Sequence, residues 1–178
     1  MPPILETNRL ILRPPREEDL EQAYALGSNP EVMRYIRPDG ALDLEGTRDE
    51  LRYRMEFNRR KLGYWVVETR DSHAFVGWMA LRYMEKSTEV EIGFRYGPEH
   101  WGKGFATEAG ARVLWYGFWE LELPEIVAVA MPANGASLRV LEKLGMRVER
   151  YGMFYDCYCA RLSVERQSFI RKHRSFQL

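Results

Sequence analysis

Cysteine is nearly missing from this 178-residue chain, with Cys157 and Cys159 the whole inventory. Two residues apart on a strand they would share a face, and that spacing is poor geometry for a disulfide. Histidine is almost as scarce: His73, His100 and His173 stand far apart, and none is in ligand spacing with another, so no metal site is expected. The thiols read as packing residues in a reducing compartment. Neither sign of charge is in excess, since 26 Lys plus Arg balance 26 Asp plus Glu. That removes the basic field of a whole-chain nucleic-acid binder, and no DNA partner is expected. No apolar run nears the roughly 20 residues of a membrane span, so no membrane partner is expected either. The start, MPPILETNRL, lacks the charged-then-apolar order of a secretion signal. The expected location is the cytoplasm. Internal repeats, low-complexity tracts and linkers are absent as well, which leaves one domain over residues 1–178. A chain of that length buries roughly two-thirds of its unfolded surface without a metal or disulfide staple.

What is present describes a folded globular protein: 46% hydrophobic, 29% charged and 13% aromatic residues. Residues 9–13 form a short apolar strand closed by Pro14 and Pro15. Glu17, Glu18 and Asp19 ahead of Leu20, Tyr24 and Leu26 are the charge pattern of a helix start. A short helix follows over 32–36, and a charged one over 45–61. The basic side chains of the latter, Arg48, Arg52, Arg54, Arg59, Arg60 and Lys61, read as a solvated face, with a surface for phosphate or an acidic partner as the sharper alternative. Three strands, 64–69, 75–83 and 90–96, are joined by short turns and so form an antiparallel meander. A helix over 106–121 carries Ala106, Gly110, Val113, Leu114, Gly117, Phe118 and Leu121 on one face. The all-apolar run 126–130 suits a strand buried on both faces. Asn134 caps a helix that stops at Gly145, and strands over 147–153 and 155–164 close a mixed α/β sheet.

The stretch richest in chemistry is the strand ending Glu91-Ile92-Gly93-Phe94-Arg95-Tyr96 and the turn Trp101-Gly102-Lys103-Gly104-Phe105-Ala106 that opens the next helix. Glycine turns that present free helix-start amides bind anions, phosphates above all; a plain tight turn is the local alternative. The pattern is neither the P-loop nor the dinucleotide fingerprint. On the strand, Val90, Ile92 and Phe94 alternate to one face while Glu89, Glu91, Gly93 and Arg95 share the other. A glycine inside a strand fits a bulge or a close backbone approach by ligand, and a carboxylate in a central strand is costly if buried unpaired.

Three separated motifs, Thr7 to Pro14, the Trp101 turn running on through Thr107-Glu108-Ala109, and Asn134 to Ser137 followed by Leu141-Glu142-Lys143-Leu144-Gly145, resemble the GCN5-related N-acetyltransferase family. Within it they look like the branch that acetylates ribosomal-protein N-termini. The resemblance spans about residues 6–164 and leaves a basic tail, 165–178, outside. It implies a mostly antiparallel, V-splayed central sheet flanked by helices, and acetyl-CoA as cosubstrate. By that resemblance the backbone of Phe94, Arg95 and Tyr96 pairs with pantetheine. Trp101, Gly102, Lys103, Gly104, Phe105, Ala106 and Thr107 hold the pyrophosphate, with Trp101 where the family usually has Gln or Arg. Asn134 bonds the pantetheine arm, Ser137 sits near the sulfur, and Lys143 reaches the 3′-phosphate. Asn134 and Ser137 are equally good local helix-cap residues, and Lys143 a good solvated lysine.

Glu91 is the candidate general base and Glu89 its reserve, against a solvated or Arg-paired carboxylate. Many members carry a Tyr four residues before the Gly-Phe pair as the acid for the leaving thiolate. Here that position is Leu141 and the pair is Gly145-Met146, so Ser137 is the substitute. The expected reaction is direct attack of a primary amine, a protein N-terminal α-amine foremost, on acetyl-CoA in a ternary complex. One rival is an aminoglycoside or polyamine acetyltransferase with an acidic pocket from Glu45, Asp49, Glu50 and Glu56. Another is a CoA-binding regulator without turnover. The oligomeric state stays open between monomer and homodimer.

Overall fold

The computed structural model describes residues 1–36, 40–58 and 61–172. Arg59, Arg60, His173 and the rest of the tail lie outside the described residues. Eight strands form one sheet: β1 (Leu5–Glu6), β2 (Leu10–Arg13), β3 (Gly63–Thr69), β4 (Phe75–Tyr83), β5 (Val90–Tyr96), β6 (Glu125–Ala130), β7 (Arg147–Phe154) and β8 (Cys157–Glu165). Their order is β1-β2-β3-β4-β5-β6-β8-β7. Every neighbouring pair is antiparallel except β5 and β6, which run parallel and share the single registered position Glu91 opposite Val127.

The helices are α1 (Leu20–Gly27), α2 (Pro30–Met33), α3 (Leu44–Phe57), α4 (Phe105–Trp115), α5 (Gly135–Lys143) and α6 (Arg166–Lys172). Strand alternation decides which face each one covers. Trp65, Val67, Met79, Leu81, Val90 and Ile92 point into the larger core, with Ala109, Val113 and Leu114 of α4 and Leu141 of α5. Val66 and Trp78 point the other way, onto Ala23, Leu26, Val32 and Leu51 from the first three helices.

Several elements depart from the sequence reading. The short helix starts at Pro30 rather than Val32, because Asn29 Oδ1 accepts from Glu31 N at 2.9 Å and proline suits the first helical turn. The helix expected to reach 121 ends at Trp115 and continues as a π-helical turn, Tyr116–Glu120. That wider turn buries Tyr116, Gly117 and Phe118 together, which a regular 3.6-residue repeat would not. Residues 166–172 of the supposed tail form α6, whose Phe169 is buried 5.2 Å from the Phe118 ring. On α3, Arg54 is not a solvated side chain: it is buried over the Trp78 ring at 4.2 Å and paired with Glu50 at 3.0 Å.

Gly77 in β4 takes a φ of +146°, opposite the register shift between Val67 and Glu68. A Cβ there would stand 2.1 Å from the Arg95 carbonyl oxygen. Gly77→Ala is therefore expected to cost on the order of 2–3 kcal/mol by overpacking against backbone. That corresponds to a fall in Tm of roughly 5–10 °C in a thermal melt; an unshifted melt would mean that β5 can yield without loss.

Candidate active site

After β5 the chain makes a short 3₁₀ turn over Pro98–His100 and then two glycine corners, Gly102 at φ +73° and Gly104 at φ +81°. Side chains rarely adopt this left-handed geometry, so glycine is needed at both corners. Gly104 is the N-cap of α4 and supplies no side-chain cap, so the first amides of the helix are left for an anion. Trp101 turns its indole back onto the strand, with Nε1 donating to Tyr96 O at 2.8 Å.

This loop is held by a residue pair from the other end of the sequence. Glu108, in the first turn of α4, accepts hydrogen bonds from Thr7 Oγ1 at 2.6 Å, Arg9 N at 2.9 Å and Arg9 Nε at 2.6 Å. The same guanidinium donates to Lys103 O at 3.1 Å and lies 4.8 Å from the centre of the Phe105 ring. Burial alone would raise the Glu108 carboxyl, but the bonds from Thr7 and Arg9 and the Arg9 charge outweigh it and hold it below its ordinary value. The Thr7-Asn8-Arg9 motif is thus a clamp on the glycine loop.

A cavity of about 450 Å³ opens between this loop, the end of β5 and the start of α5. Phe94, Arg95, Tyr96, Trp101, Gly102, Gly104, Phe105, Ala106, Thr107, Asn134, Ser137 and Lys143 all line it. Lys103, also expected there, does not line it; its carbonyl accepts from Arg9. Asn134 does cap α5, its Oδ1 accepting from Ser137 N at 3.1 Å, and that leaves both residues on the cavity wall. His100, Ala136, Arg139 and Val140 line it as well, and Glu31, Val32, Arg34, Tyr35 and Ile36 add a further wall that sequence reading missed because α2 has no motif.

Glu91 lies outside that lining, three residues before Phe94 on the same strand. It is 5% exposed. Arg82 sits directly opposite on β4 and donates from Nη2 to Oε1 at 2.6 Å, while the Tyr155 hydroxyl donates to Oε2 at 2.7 Å. Burial raises the Glu91 carboxyl above its ordinary value, and the Arg82 charge and Tyr155 bond only partly offset this. Burial likewise pushes the Tyr155 hydroxyl up to about 12, and the Glu91 charge adds to it. Arg82 and Tyr155 were not singled out from sequence, and Tyr155 is a turn residue rather than the start of the last strand. Tyr155 and Asp156 adopt φ of +51° and +58° in the β7–β8 hairpin, a costly conformation for a tyrosine that delivers the hydroxyl to Glu91. Glu89 is engaged elsewhere, in an ion pair with the buried Arg161. Leu141, at the usual tyrosine position, is core. Both cysteines are free, and among the described residues no His, Cys, Asp and Glu cluster is arranged to hold a metal ion.

The model of the acetyltransferase (GNAT) domain matches residues 9–147. The chain belongs to the GNAT acetyltransferases. It is 38% identical over 149 residues to the uncharacterized N-acetyltransferase YoaA of Bacillus subtilis, covering 83% of this chain and 84% of that protein. Among solved structures, a GNAT-family acetyltransferase from Bacillus anthracis superposes with a TM-score of 0.80 at 29% identity, covering 93% of this chain and 99% of the other. A spermidine N-acetyltransferase from Vibrio cholerae, in complex with CoA and spermine, shares the fold at a TM-score of 0.77 and 22% identity, over 92% of this chain and 99% of that one. This GNAT protein is an acetyl-CoA-dependent N-acetyltransferase, and no described helix is long and apolar enough to cross a membrane.

The clamp on the loop gives a direct test. Glu108→Gln keeps the shape but removes the charge gripped by Arg9, and should weaken acetyl-CoA binding about tenfold by calorimetry. Thr7→Ser, which keeps the hydroxyl, should bind like the parent. Parental affinity in Glu108→Gln would show that the glycine loop keeps its shape unaided.

Proposed function

We propose that this GNAT enzyme acetylates a primary α-amine, a protein N-terminus foremost, by direct attack on acetyl-CoA with Glu91 as general base. The observation that carries the reading is that residues from three stretches distant in sequence, 94–96, 101–107 and 134–143, meet around one cavity that begins three residues beyond a buried carboxylate. The free amides after Gly104 bind the pyrophosphate, and Lys143 takes the 3′-phosphate. The strand edge from Gly93 to Tyr96, past the last residue paired with β6, receives the pantetheine arm. Binding energy remote from the carbonyl thus fixes the thioester in place, and strand amides polarise it. Ser137, on the cavity wall, returns a proton to the leaving thiolate.

Glu91, with its carboxyl raised by burial, is a better proton acceptor than an ordinary surface carboxylate. Arg82 and Tyr155 position it. An α-amine with pKa near 8 costs about 1 kcal/mol to deprotonate at neutral pH, against about 4–5 kcal/mol for a lysine. A single carboxylate base suits the former. Against a polyamine acceptor, two of the four acids offered for its pocket are engaged within the protein, Glu50 with Arg54 and Arg95 and Asp49 with Arg52 at 3.7 Å.

Glu91→Gln should lower kcat by about 10²- to 10⁴-fold while acetyl-CoA affinity holds. The deficit should narrow as pH rises, because more amine arrives deprotonated. In the parent, kcat/KM should fall toward acid as Glu91 protonates, at a pH above the ordinary carboxylate range. Parental kcat in Glu91→Gln at neutral pH would end the assignment, and a loss confined to Glu89→Gln would move it two residues.

Gly104→Val tests the cofactor site separately. It would force a branched residue into a left-handed corner beside the anion-binding amides, and acetyl-CoA affinity should drop more than tenfold in a protein that still melts cooperatively. Unchanged affinity would remove the pyrophosphate from this loop.

A further inference from the structure

Both oxygens of the Glu91 carboxylate are occupied. Arg82 Nη2 donates to Oε1 at 2.6 Å, the Tyr155 hydroxyl donates to Oε2 at 2.7 Å, and the residue is 5% exposed. A general base has to come within about 2.6–3.2 Å of the group whose proton it takes. So enclosed, Glu91 offers an incoming amine little surface of its own, and a proton reaches it best through a partner. Arginine keeps its charge and can only donate, so Arg82 cannot pass a proton on. A phenol can accept one proton while it gives up another, and Tyr155, 38% exposed, is far more open than the carboxylate.

The surroundings of that hydroxyl suit the task. Besides the bond to Glu91, its oxygen has Arg82 Nη2 at 3.2 Å and the Glu85 amide at 3.4 Å. The second contact is long for an N–H···O bond, so one lone pair is open to a closer donor. Tyr155 holds this place at φ +51°, with Asp156 beside it at +58°. Such backbone strain persists only where the surroundings over-determine it, and it gathers at working sites. The ionisable neighbours are Arg82 from β4, Glu91 from β5 and Cys159 from β8, with Tyr64 of β3 beyond Arg82. In the turn after β4, Glu85 and Lys86 pair with each other at 3.6 Å. Burial and the Glu91 charge keep Tyr155 a neutral phenol, at about 12. Once Glu91 takes a proton that charge is gone, and Arg82 remains beside the oxygen.

We propose that Tyr155 is a catalytic residue that carries the proton from the acceptor amine to Glu91. This rests on the reading of Glu91 as general base and adds the group that touches the substrate. The acceptor arrives as an ammonium. One N–H bond breaks and its proton goes to the Tyr155 oxygen, while the Tyr155 O–H bond breaks and that proton goes to Glu91 Oε2. The amine is left neutral, its electron pair free to attack the thioester carbonyl. The phenol is unchanged and the carboxylate has become the acid. After the product leaves, the same hydroxyl returns the proton to water.

The test is thiol release from acetyl-CoA, measured with the fastest acceptor among N-terminal peptides, free α-amino acids and spermidine. Tyr155→Phe keeps the ring over Glu91 without the hydroxyl, and should lower kcat by about 10²-fold or more while calorimetric acetyl-CoA affinity holds. Tyr155→Gly suits the left-handed corner and lifts the ring away, so that water can take the place of the hydroxyl. It should be at least about tenfold faster than Tyr155→Phe. A hydroxyl that only held Glu91 in place would be missed alike in both variants, so equal losses, or a slower Tyr155→Gly, overturn the relay. The double variant Glu91→Gln with Tyr155→Phe should be no slower than the slower single one, because the two groups act as a unit; multiplied losses also overturn it. Parental kcat in Tyr155→Phe beside an impaired Glu91→Gln removes the relay and leaves Glu91 the base. Parental kcat in Glu91→Gln, or no thiol release with any acceptor, removes both.

Discussion

The sheet of this GNAT enzyme is joined at its centre by one parallel contact, Glu91 against Val127. On one side of that joint, β1 to β5 form a continuous antiparallel unit; on the other, β6, β8 and β7 form a second. Parallel strands need a crossover between them, and α4 supplies it, so the helix whose first amides face the cavity is also the connection between the two units. Were β5 and β6 paired along their whole length, the backbone groups of Gly93 to Tyr96 would be spent on the ladder and nothing would be left to hold an extended ligand arm. The joint sets where the gap begins, and the residue at the joint is a carboxylate.

That placement asks a good deal of the surroundings. A nearly inaccessible acid in a central strand would be destabilising on its own, and here the cost is met by a cross-strand arginine and by a tyrosine from a hairpin 64 residues away. Arg82 draws the carboxyl toward its charged form, burial draws it the other way, and the balance lies above the ordinary value. A carboxylate so held keeps its hydrogen bonds in the resting protein without becoming as acidic as a surface ion pair would make it.

Much of this was legible in the sequence because the signals are local. Strands β4 and β5 begin and end where alternation and turns put them, the glycine corners announce themselves, and Asn134 caps the helix its position suggests. The parts that escaped depend on how separate elements meet. Nothing near Arg82 or Tyr155 in the chain says that they meet at Glu91, and the tyrosine lies in a left-handed turn that its residue type argues against. Arg54 was read as solvated because a charged residue in a polar stretch usually is; the Trp78 face and Glu50 make it an interior residue. The Thr7-to-Arg9 motif was visible as a pattern, but its role depends on a partner 99 to 101 residues further on.

That separation has a consequence in time. A contact between residues about a hundred positions apart closes a long loop, and such closures come late and are slow compared with helices and hairpins. During synthesis the N-terminal hairpin emerges first and waits for Glu108, by which stage β3, β4 and β5 have already left the ribosome. The glycine loop can therefore take its final shape only after the meander between the two halves of the clamp is in place. The final shape of the glycine loop is among the last features the chain acquires as it folds, and loosening at residues 1–10 is a route by which it would be among the first to go.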